Sequence, residues 1–267
     1  MTGKNWYHAA GRVWTFLISA AQQHSIVTYE RVAPVIPTNP LSVRKALGPI
    51  QDYCLGNHLP PLTAIVVNKN TRVPGEGFIA WSTDDLALAH KSVFEFNWSK
   101  VLNPYGDFDP TDTLDSLSEK LVENPNSSAD VYAKVKVRGI AQEIFRGALL
   151  KAYDSQCAMC GFSLPSALDA AHIIPWSVAT SAQKLDPRNG LLLCSLHHRL
   201  FDSGLITLSK SRKVVFYDST MESILNSVSD KQMTIDLHGR NAYLPTNDSL
   251  CPSIEYLKHH HEQHELG

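Results

Sequence analysis

Two pairs of metal-ligand residue types constrain this chain more than any other feature of its sequence. Cys157 and Cys160 are separated by two residues, and Cys194 and His197 repeat that spacing further along the chain. Two ligands at this spacing can hold one metal ion from a tight turn, but a structural zinc site needs four. We therefore predict that the two pairs form one Cys3His site, whose Zn²⁺ joins distant segments and contributes directly to folding.

The remaining cysteines do not extend this pattern. The chain has five cysteines, and this odd number argues against a disulfide framework. Cys54 and Cys251 have no closely spaced partner, so we interpret both as packing residues. The first residues lack a basic region followed by an apolar core, and no long apolar run is present. We therefore expect a cytoplasmic protein with no membrane partner.

Four further residues around the second pair point to phosphodiester hydrolysis. His172 follows Asp-Ala-Ala in a short segment that predicts a strand, and a neutral imidazole is a suitable general base near pH 7. Asn189 can hydrogen-bond either that imidazole or nearby loop carbonyls. His198 and Asp202 are four residues apart, so a helix would present both on one face. An imidazole with a carboxylate suits a catalytic Mg²⁺ or Mn²⁺, although Asp202 could instead cap the following turn.

The order of these elements resembles the HNH endonucleases, a family with a ββα-metal fold. The resemblance covers about residues 138–218 and assigns the signature positions to His172, Asn189 and His198. It implies a DNA substrate, products with 5′-phosphate and 3′-hydroxyl ends, and catalytic roles for these three residues. Many members of the family carry an acidic or histidine ligand just before the first histidine, where this chain has Ala171. Asp169 is a candidate replacement for that ligand, but the sequence does not show whether its side chain reaches the cation.

Basic residues support a nucleic-acid partner. Arg188 and Arg199 flank the motif and can hold phosphates, or they can be solvated surface cations. From Lys134 to Asp218 there are 11 Lys and Arg against 6 Asp and Glu, which gives +5. The remainder of the chain has 13 against 20, which gives −7. A basic module on an acidic chain is compatible with phosphate binding, although such an imbalance also arises in proteins that bind no nucleic acid.

The rest of the chain predicts a separate N-terminal domain. Apolar periodicity indicates helices over residues 4–23 and 42–54, and β-branched content indicates a strand over residues 62–67. The stretches Thr-Tyr-Glu-Arg-Val-Ala and Leu-Pro-Pro-Leu resemble the winged-helix part of alkyltransferase-like DNA-binding proteins. Such a domain would choose the DNA target or dock a partner protein, and a plain packing domain is the alternative.

The C-terminal half continues with a predicted helix over residues 140–153 and a hairpin over residues 205–217. The histidine-rich tail, residues 256–264, is expected to be the exposed end of a terminal helix. We thus predict an α+β protein in which a small helical α+β domain (residues 1–115) and a linker (116–137) precede a ββα-metal nuclease domain (138–267). The expected function is metal-dependent DNA cleavage, and the resemblance to the HNH endonucleases implies a role in restriction or anti-phage defence, with a homodimer or defence proteins as partners.

Two alternatives remain open from the sequence. One is a nuclease subunit that is active only within a larger defence complex. The other is a zinc-stapled module that binds DNA without cutting it. All three signature residues are present, which favours an enzyme over the second alternative.

Overall fold

The computed structural model describes residues 5–135, 137–217 and 227–265. Its Cα packing divides the chain into two compact units. The first comprises Met1–Asp112 with Val135–Val137, and the second comprises Thr113–Lys134 with Arg138–Gly267. Among the described residues, no helix combines the length and apolar character needed to cross a membrane.

The N-terminal unit is mainly helical. Its helices are α1 (Trp6–Gln22), α2 (Tyr29–Val32), α3 (Arg44–Gly56) and α4 (Leu86–Glu95). Asn5 caps α1 by accepting hydrogen bonds from two backbone N–H groups of its first turn. One face of α1, including Val13, Trp14 and Leu17, is buried. The two helices predicted near residues 4–23 and 42–54 are therefore confirmed over the described residues.

The strand predicted over residues 62–67 is wrong for most of its length. Leu62–Ile65 form a 3-10 turn, and only β2 (Val66–Val67) pairs, in parallel with β1 (Val27–Thr28). All six residues are at most 4% exposed. Their apolar character reflects burial on every side, which periodicity alone cannot distinguish from a strand in a short segment.

The C-terminal unit contains a ββα arrangement flanked by helices. The central elements are strands β3 (Leu168–His172) and β4 (Gly190–Cys194), followed at once by helix α8 (Ser195–Asp202). Helices α5 (Leu114–Glu123), α6 (Ser128–Lys134) and α7 (Arg138–Ala152) precede them. Helices α9 (Val228–Gln232) and α10 (Ile254–Gln263) follow.

The predicted hairpin after the helix is also present. Strands β5 (Ile206–Leu208) and β6 (Val214–Phe216) pair antiparallel. Asp218, the last residue of the predicted basic module, lies outside the described residues. The fold class predicted for this part of the chain, a ββα core within an α+β protein, is confirmed.

The segment predicted as a linker, residues 116–137, is instead largely helical. It holds most of α5 and all of α6, and Leu117 and Leu121 of α5 are buried. Polar residues in and just before this segment are helix caps: Thr113 and Ser116 form a capping box, and the Asn124 side chain accepts from the Asn126 N–H. The second compact unit accordingly begins at Thr113.

Helices α5 and α7 meet closely at one glycine. The Ser118 hydroxyl of α5 donates to the carbonyls of Leu114 at 2.7 Å and Ile144 at 2.9 Å. A Cβ on Gly147 would lie only 2.5 Å from this hydroxyl. The absence of a side chain at Gly147 therefore lets the two helices share a buried polar contact.

We expect Gly147→Val to destabilise the C-terminal unit by about 1–3 kcal/mol, because it overpacks this contact. Gly139→Ala is the matched control on the same helix, since a Cβ there meets no atom within 4 Å. It should be neutral or stabilise by about 1 kcal/mol through helix propensity. Urea unfolding of the three proteins measures both effects, and equal stability of Gly147→Val and the parent would contradict the proposed close packing.

Candidate active site and metal cluster

The strand register places the candidate residues at two ends of one hairpin. His172 pairs with Gly190 at one end, and Leu168 pairs with Cys194 at the other. Asn189 immediately precedes β4, so it lies at the His172 end. At Gly190, a Cβ would lie 2.6 Å from the Phe145 side chain of α7, so only glycine permits this close approach.

The four predicted zinc ligands converge at the opposite end. One ligand atom from each of Cys157, Cys160, Cys194 and His197 lies within 4.8 Å of all the others. His197 Nδ1 is 3.1 Å from Cys194 Sγ and 3.5 Å from Cys157 Sγ. This donor set suits tetrahedral Zn²⁺, so the cluster can hold a metal such as zinc.

Further contacts prepare these side chains for a metal. His197 Nε2 donates to the Met233 carbonyl at 2.9 Å, which leaves Nδ1 facing the sulfur atoms. The hydrogen bonds that the thiols share lower the pKa of Cys194 and raise that of Cys160, so the cluster favours a thiolate at Cys194. Cys54 and Cys251 are buried outside this cluster, as expected for packing residues.

His172 is held in one orientation. Its ring stacks on Phe145 with 4.1 Å between ring centroids, and its edge meets Trp176 at 5.6 Å. His172 Nε2 is 2.9 Å from the Lys184 carbonyl oxygen. A carbonyl can only accept, so Nε2 carries the hydrogen and Nδ1 of the neutral ring keeps its lone pair.

The surroundings of His172 also favour its neutral form. Burial lowers the pKa of His172 against the opposing hydrogen bond to the Lys184 carbonyl, and the nearby charge of Arg138 lowers it further. The ring is therefore unprotonated at neutral pH, which is the state that a general base requires.

Asn189 is fully buried and bonds the loop rather than the imidazole. Its Oδ1 accepts from the Ile174 N–H at 2.8 Å, and its Nδ2 donates to the Gln183 carbonyl at 3.0 Å. Of the two partners that the sequence leaves open, the structure thus selects the backbone. Because Gln183 precedes Lys184, this amide holds the loop whose next carbonyl orients His172.

His198 lies between two carboxylates. Its Nε2 is 3.5 Å from Asp202 Oδ2, as the spacing on a helix predicts, and its Nδ1 is 3.6 Å from Asp169 Oδ2. Asp169 also accepts from the Ser195 hydroxyl at 3.2 Å. Asp169 thus reaches α8, whereas Ala171 is fully buried and has no ligand atom. Oxygen and imidazole donors of this kind suit a hard divalent cation.

The two candidate phosphate-binding arginines have different surroundings. The Arg188 guanidinium lies on the buried carboxylate of Asp186, with contacts at 2.9 Å from Nε and Nη2, and donates to Asn126 Oδ1 at 3.1 Å. Tyr256 of α10 donates to the same Asp186 at 3.2 Å. Arg188 therefore neutralises a buried carboxylate, while Arg199 is exposed on α8.

A group of cations and aromatic rings beside His172 was not predicted from the sequence. Lys184 Nζ lies 4.9 Å from the Tyr132 ring centroid and 5.4 Å from that of Trp176, and the Arg138 guanidinium lies 5.5 Å from that of Trp176. These residues come from α6, α7 and the loop before Asn189. No periodic pattern links them, so only the fold brings them together.

The histidine-rich tail forms a helix, as predicted, but it is not wholly exposed. His260 of α10 is 3% exposed and stacks on Phe201 of α8 at 4.0 Å between centroids. Its Nε2 donates to the Phe201 carbonyl at 3.1 Å, and its Nδ1 accepts from the Thr207 hydroxyl at 3.2 Å. The prediction is therefore wrong for His260, because this face of α10 packs on the helix that carries His198.

Comparison with known families agrees with this geometry. Residues 157–209 match the family model described as HNH endonuclease. The match begins at Cys157 and covers both metal half-sites, His172, Asn189 and His198. This segment of the C-terminal unit is therefore similar to the HNH endonucleases. A search of curated proteins found no significant match to the chain.

We expect the purified protein to hold one zinc ion per chain. Cys157→Ala and Cys194→Ala should each lose it, because three ligands do not complete a closed site. Cys251→Ala is the matched control and should retain the metal. Elemental analysis after gel filtration measures the stoichiometry, and retention of zinc in Cys194→Ala would contradict the assigned ligand set.

We also expect a component of acid sensitivity that depends on His260. Burial, with the nearby histidines 259, 261 and 264, lowers the pKa of His260 to about 4. The unfolded ring titrates near 6.5, so the unfolded chain binds the proton more readily between these values. This contribution to stability is present above pH 6.5 and is lost as the pH falls towards 4, with an upper limit of about 3 kcal/mol.

Denaturant unfolding from pH 7 to pH 4 measures this contribution. His260→Gln should show a shallower loss of stability than the parent protein, whereas His259→Gln, exposed on the same helix, should follow the parent. Parallel curves for the parent and His260→Gln would mean that His260 is not the responsible group.

Proposed function

We propose that this protein is a metal-dependent DNA endonuclease that hydrolyses phosphodiester bonds with His172 as general base. One observation carries the proposal: Nε2 of His172 is committed to the Lys184 carbonyl, so a fixed, neutral ring offers Nδ1 as its basic atom. The match to the HNH endonuclease family supports the same reaction.

In the proposed reaction, Nδ1 of His172 accepts a proton from water as the water oxygen attacks the scissile phosphorus. The Nε2–H bond to Lys184 is retained, and it becomes stronger as the ring gains positive charge. Phe145 and Trp176 hold the ring in place during this transfer. Such positioned proton transfer accelerates reactions by about 10²–10⁴-fold.

The cation-binding residues of the proposal are His198 and Asp202, joined by Asp169. When bound there, a divalent ion such as Mg²⁺ or Mn²⁺ supplies charge neutralisation at the scissile phosphate and the departing 3′ oxygen. The two carboxylates lie on opposite ring nitrogens of His198. One can therefore hold the cation together with the imidazole while the other orients the ring.

Asn189 is proposed as a positioning residue. Its buried amide holds the Gln183 carbonyl, and Lys184 follows directly in the chain. Loss of this amide would release the loop and leave its backbone groups unpaired. Loss of the Asn189 amide would therefore lower catalysis by releasing the orientation of the His172 ring.

The exposed Arg199 is proposed to contact the DNA backbone, whereas Arg188 is proposed to stabilise the loop, because its guanidinium is already bonded to Asp186 and Asn126. An exposed guanidinium can form bidentate contacts with phosphate. We further propose restriction or anti-phage defence as the biological setting, with the N-terminal unit recognising the DNA target or a partner. A second copy of the chain would be needed for symmetric double-strand cleavage by single-site protomers.

Cleavage of supercoiled plasmid with Mg²⁺, Mn²⁺ or EDTA tests the proposal. We expect metal-dependent nicking or linearisation that His172→Ala lowers by at least 100-fold. Asp169→Asn and Asp202→Asn should also lower the rate, and added Mn²⁺ should restore part of it if they act through the cation. His58→Ala, exposed in the N-terminal unit, is the control and should be fully active.

Two other outcomes would replace the proposal. Metal-independent DNA binding without cleavage, unaffected by His172→Ala, would indicate a zinc-stapled binding module. An inert chain that cleaves only after a partner is added would indicate a nuclease subunit. Testing phage DNA with modified bases before drawing either conclusion avoids a false negative from substrate choice.

A further inference from the structure

Two cations lie beside the proposed general base without an acidic partner. Arg138 is exposed at the start of α7, and Lys184 is half-buried in the loop before Asn189. Within the part of the chain that the structure describes, no carboxylate lies within ion-pair distance of either side chain. Like charges repel each other, so a pair of cations without a counter-charge is less stable than a neutralised pair. A bound anion would supply the missing charge.

The indole of Trp176 holds both charges in one place. The Arg138 guanidinium lies over this ring at 5.5 Å from its centroid, and Lys184 Nζ lies over it at 5.4 Å. The rings of Tyr132 and His172 meet the indole nearly edge to face, at 5.9 Å and 5.6 Å between centroids. A cation over an aromatic face is attracted by the ring. The indole therefore positions the two cations, and their charge determines which ligand this cation–aromatic group (Tyr132, Arg138, Trp176 and Lys184) would bind.

Lys184 connects this group directly to the general base. Its carbonyl accepts from His172 Nε2 at 2.9 Å, and its Nζ donates to the Tyr132 hydroxyl at 3.2 Å. The loop that carries Lys184 is tied to α6, because the Ser128 hydroxyl donates to the Ala182 carbonyl at 2.6 Å. The backbone of one residue thus orients the base, while its side chain holds a charge at a fixed place beside that base.

The second cation is connected to the base through a helix. Arg138 is the first residue of α7, and Phe145 of the same helix stacks on the His172 ring. Because the Trp176 ring centroid is only 5.6 Å from that of His172, both charges lie close to the proposed site of hydrolysis. Phosphates recur about every 3.4 Å along the axis of each DNA strand, so a phosphate near the scissile one comes within reach of the two cations.

We propose that Arg138 and Lys184 bind a backbone phosphate that flanks the scissile one. A phosphodiester carries one negative charge and accepts hydrogen bonds from both guanidinium and ammonium groups. The proposal rests on the proposed function and deepens it, because it names residues that hold the DNA strand next to His172. Contacts with phosphates position a strand and do not read its sequence. The cation–aromatic group would therefore hold DNA of any sequence.

Binding of fluorescently labelled duplex DNA to the full-length protein tests this proposal. Two duplexes of unrelated sequence are titrated without added Mg²⁺ or Mn²⁺, over about 50–200 mM salt. The logarithm of the binding constant falls linearly with the logarithm of the salt concentration, with a slope of about −0.9 for each phosphate that the protein neutralises. The slope therefore counts phosphate contacts, which a residue with a purely structural role would not change.

Lys184→Met and Arg138→Met remove the charges but keep an apolar side chain beside the indole. Each should weaken binding about tenfold at the lowest salt concentration, reduce the magnitude of the slope by about 0.9 and act equally on both duplexes. Lys184→Arg should keep the slope of the parent protein, because it keeps the charge. Lys120→Met, which changes an exposed lysine of α5 outside the group, is the matched control and should bind like the parent.

Unchanged affinity and slope in both Lys184→Met and Arg138→Met would overturn the proposal, as would a failure of both duplexes to bind the parent protein. Urea unfolding of the same variants detects a packing role, and a lower midpoint with an unchanged slope would also overturn it. Plasmid cleavage separates this proposal from the endonuclease. A reduced slope without any cleavage would contradict only the endonuclease, and cleavage that requires His172 but leaves the slopes unchanged would contradict only the phosphate site.

Discussion

The C-terminal unit is organised first by the convergence of Cys157, Cys160, Cys194 and His197. A structural zinc contributes on the order of 10 kcal/mol, which is comparable to the whole stability of an ordinary domain. The ion would join a turn before β3 to the start of α8, the two segments between which the hairpin is formed. Because His198 follows His197 directly, fixing one ligand also sets the position of the residue proposed to hold the catalytic cation.

At the other end of the hairpin, rigidity comes from buried hydrogen bonds rather than from a metal. The Asn189 amide fixes the path of the loop, and the Lys184 carbonyl fixes the orientation of the His172 ring. Aromatic packing by Phe145 completes the arrangement. The protein thus positions its proposed base before any substrate arrives, which reduces the reorganisation needed during reaction.

The sequence predicted the parts of the structure that depend on spacing. Ligand pairs two residues apart and the four-residue step from His198 to Asp202 translate directly into geometry, and both are found. The sequence did not show whether Asp169 reaches His198, because only the packing of β3 against α8 decides the distance between them. It failed for residues 62–67, where burial on all sides resembles a strand, and for α5 and α6, whose capping residues resemble a linker.

The family signature spans residues 157–209, yet the side chains that support it lie well outside that range. Phe145 of α7 backs His172, and His260 of α10 backs Phe201 on the helix of His198. The residues of the signature therefore depend on side chains that lie outside it. A graft of residues 157–209 alone onto another scaffold would lack the Phe145 and His260 rings that pack against His172 and Phe201.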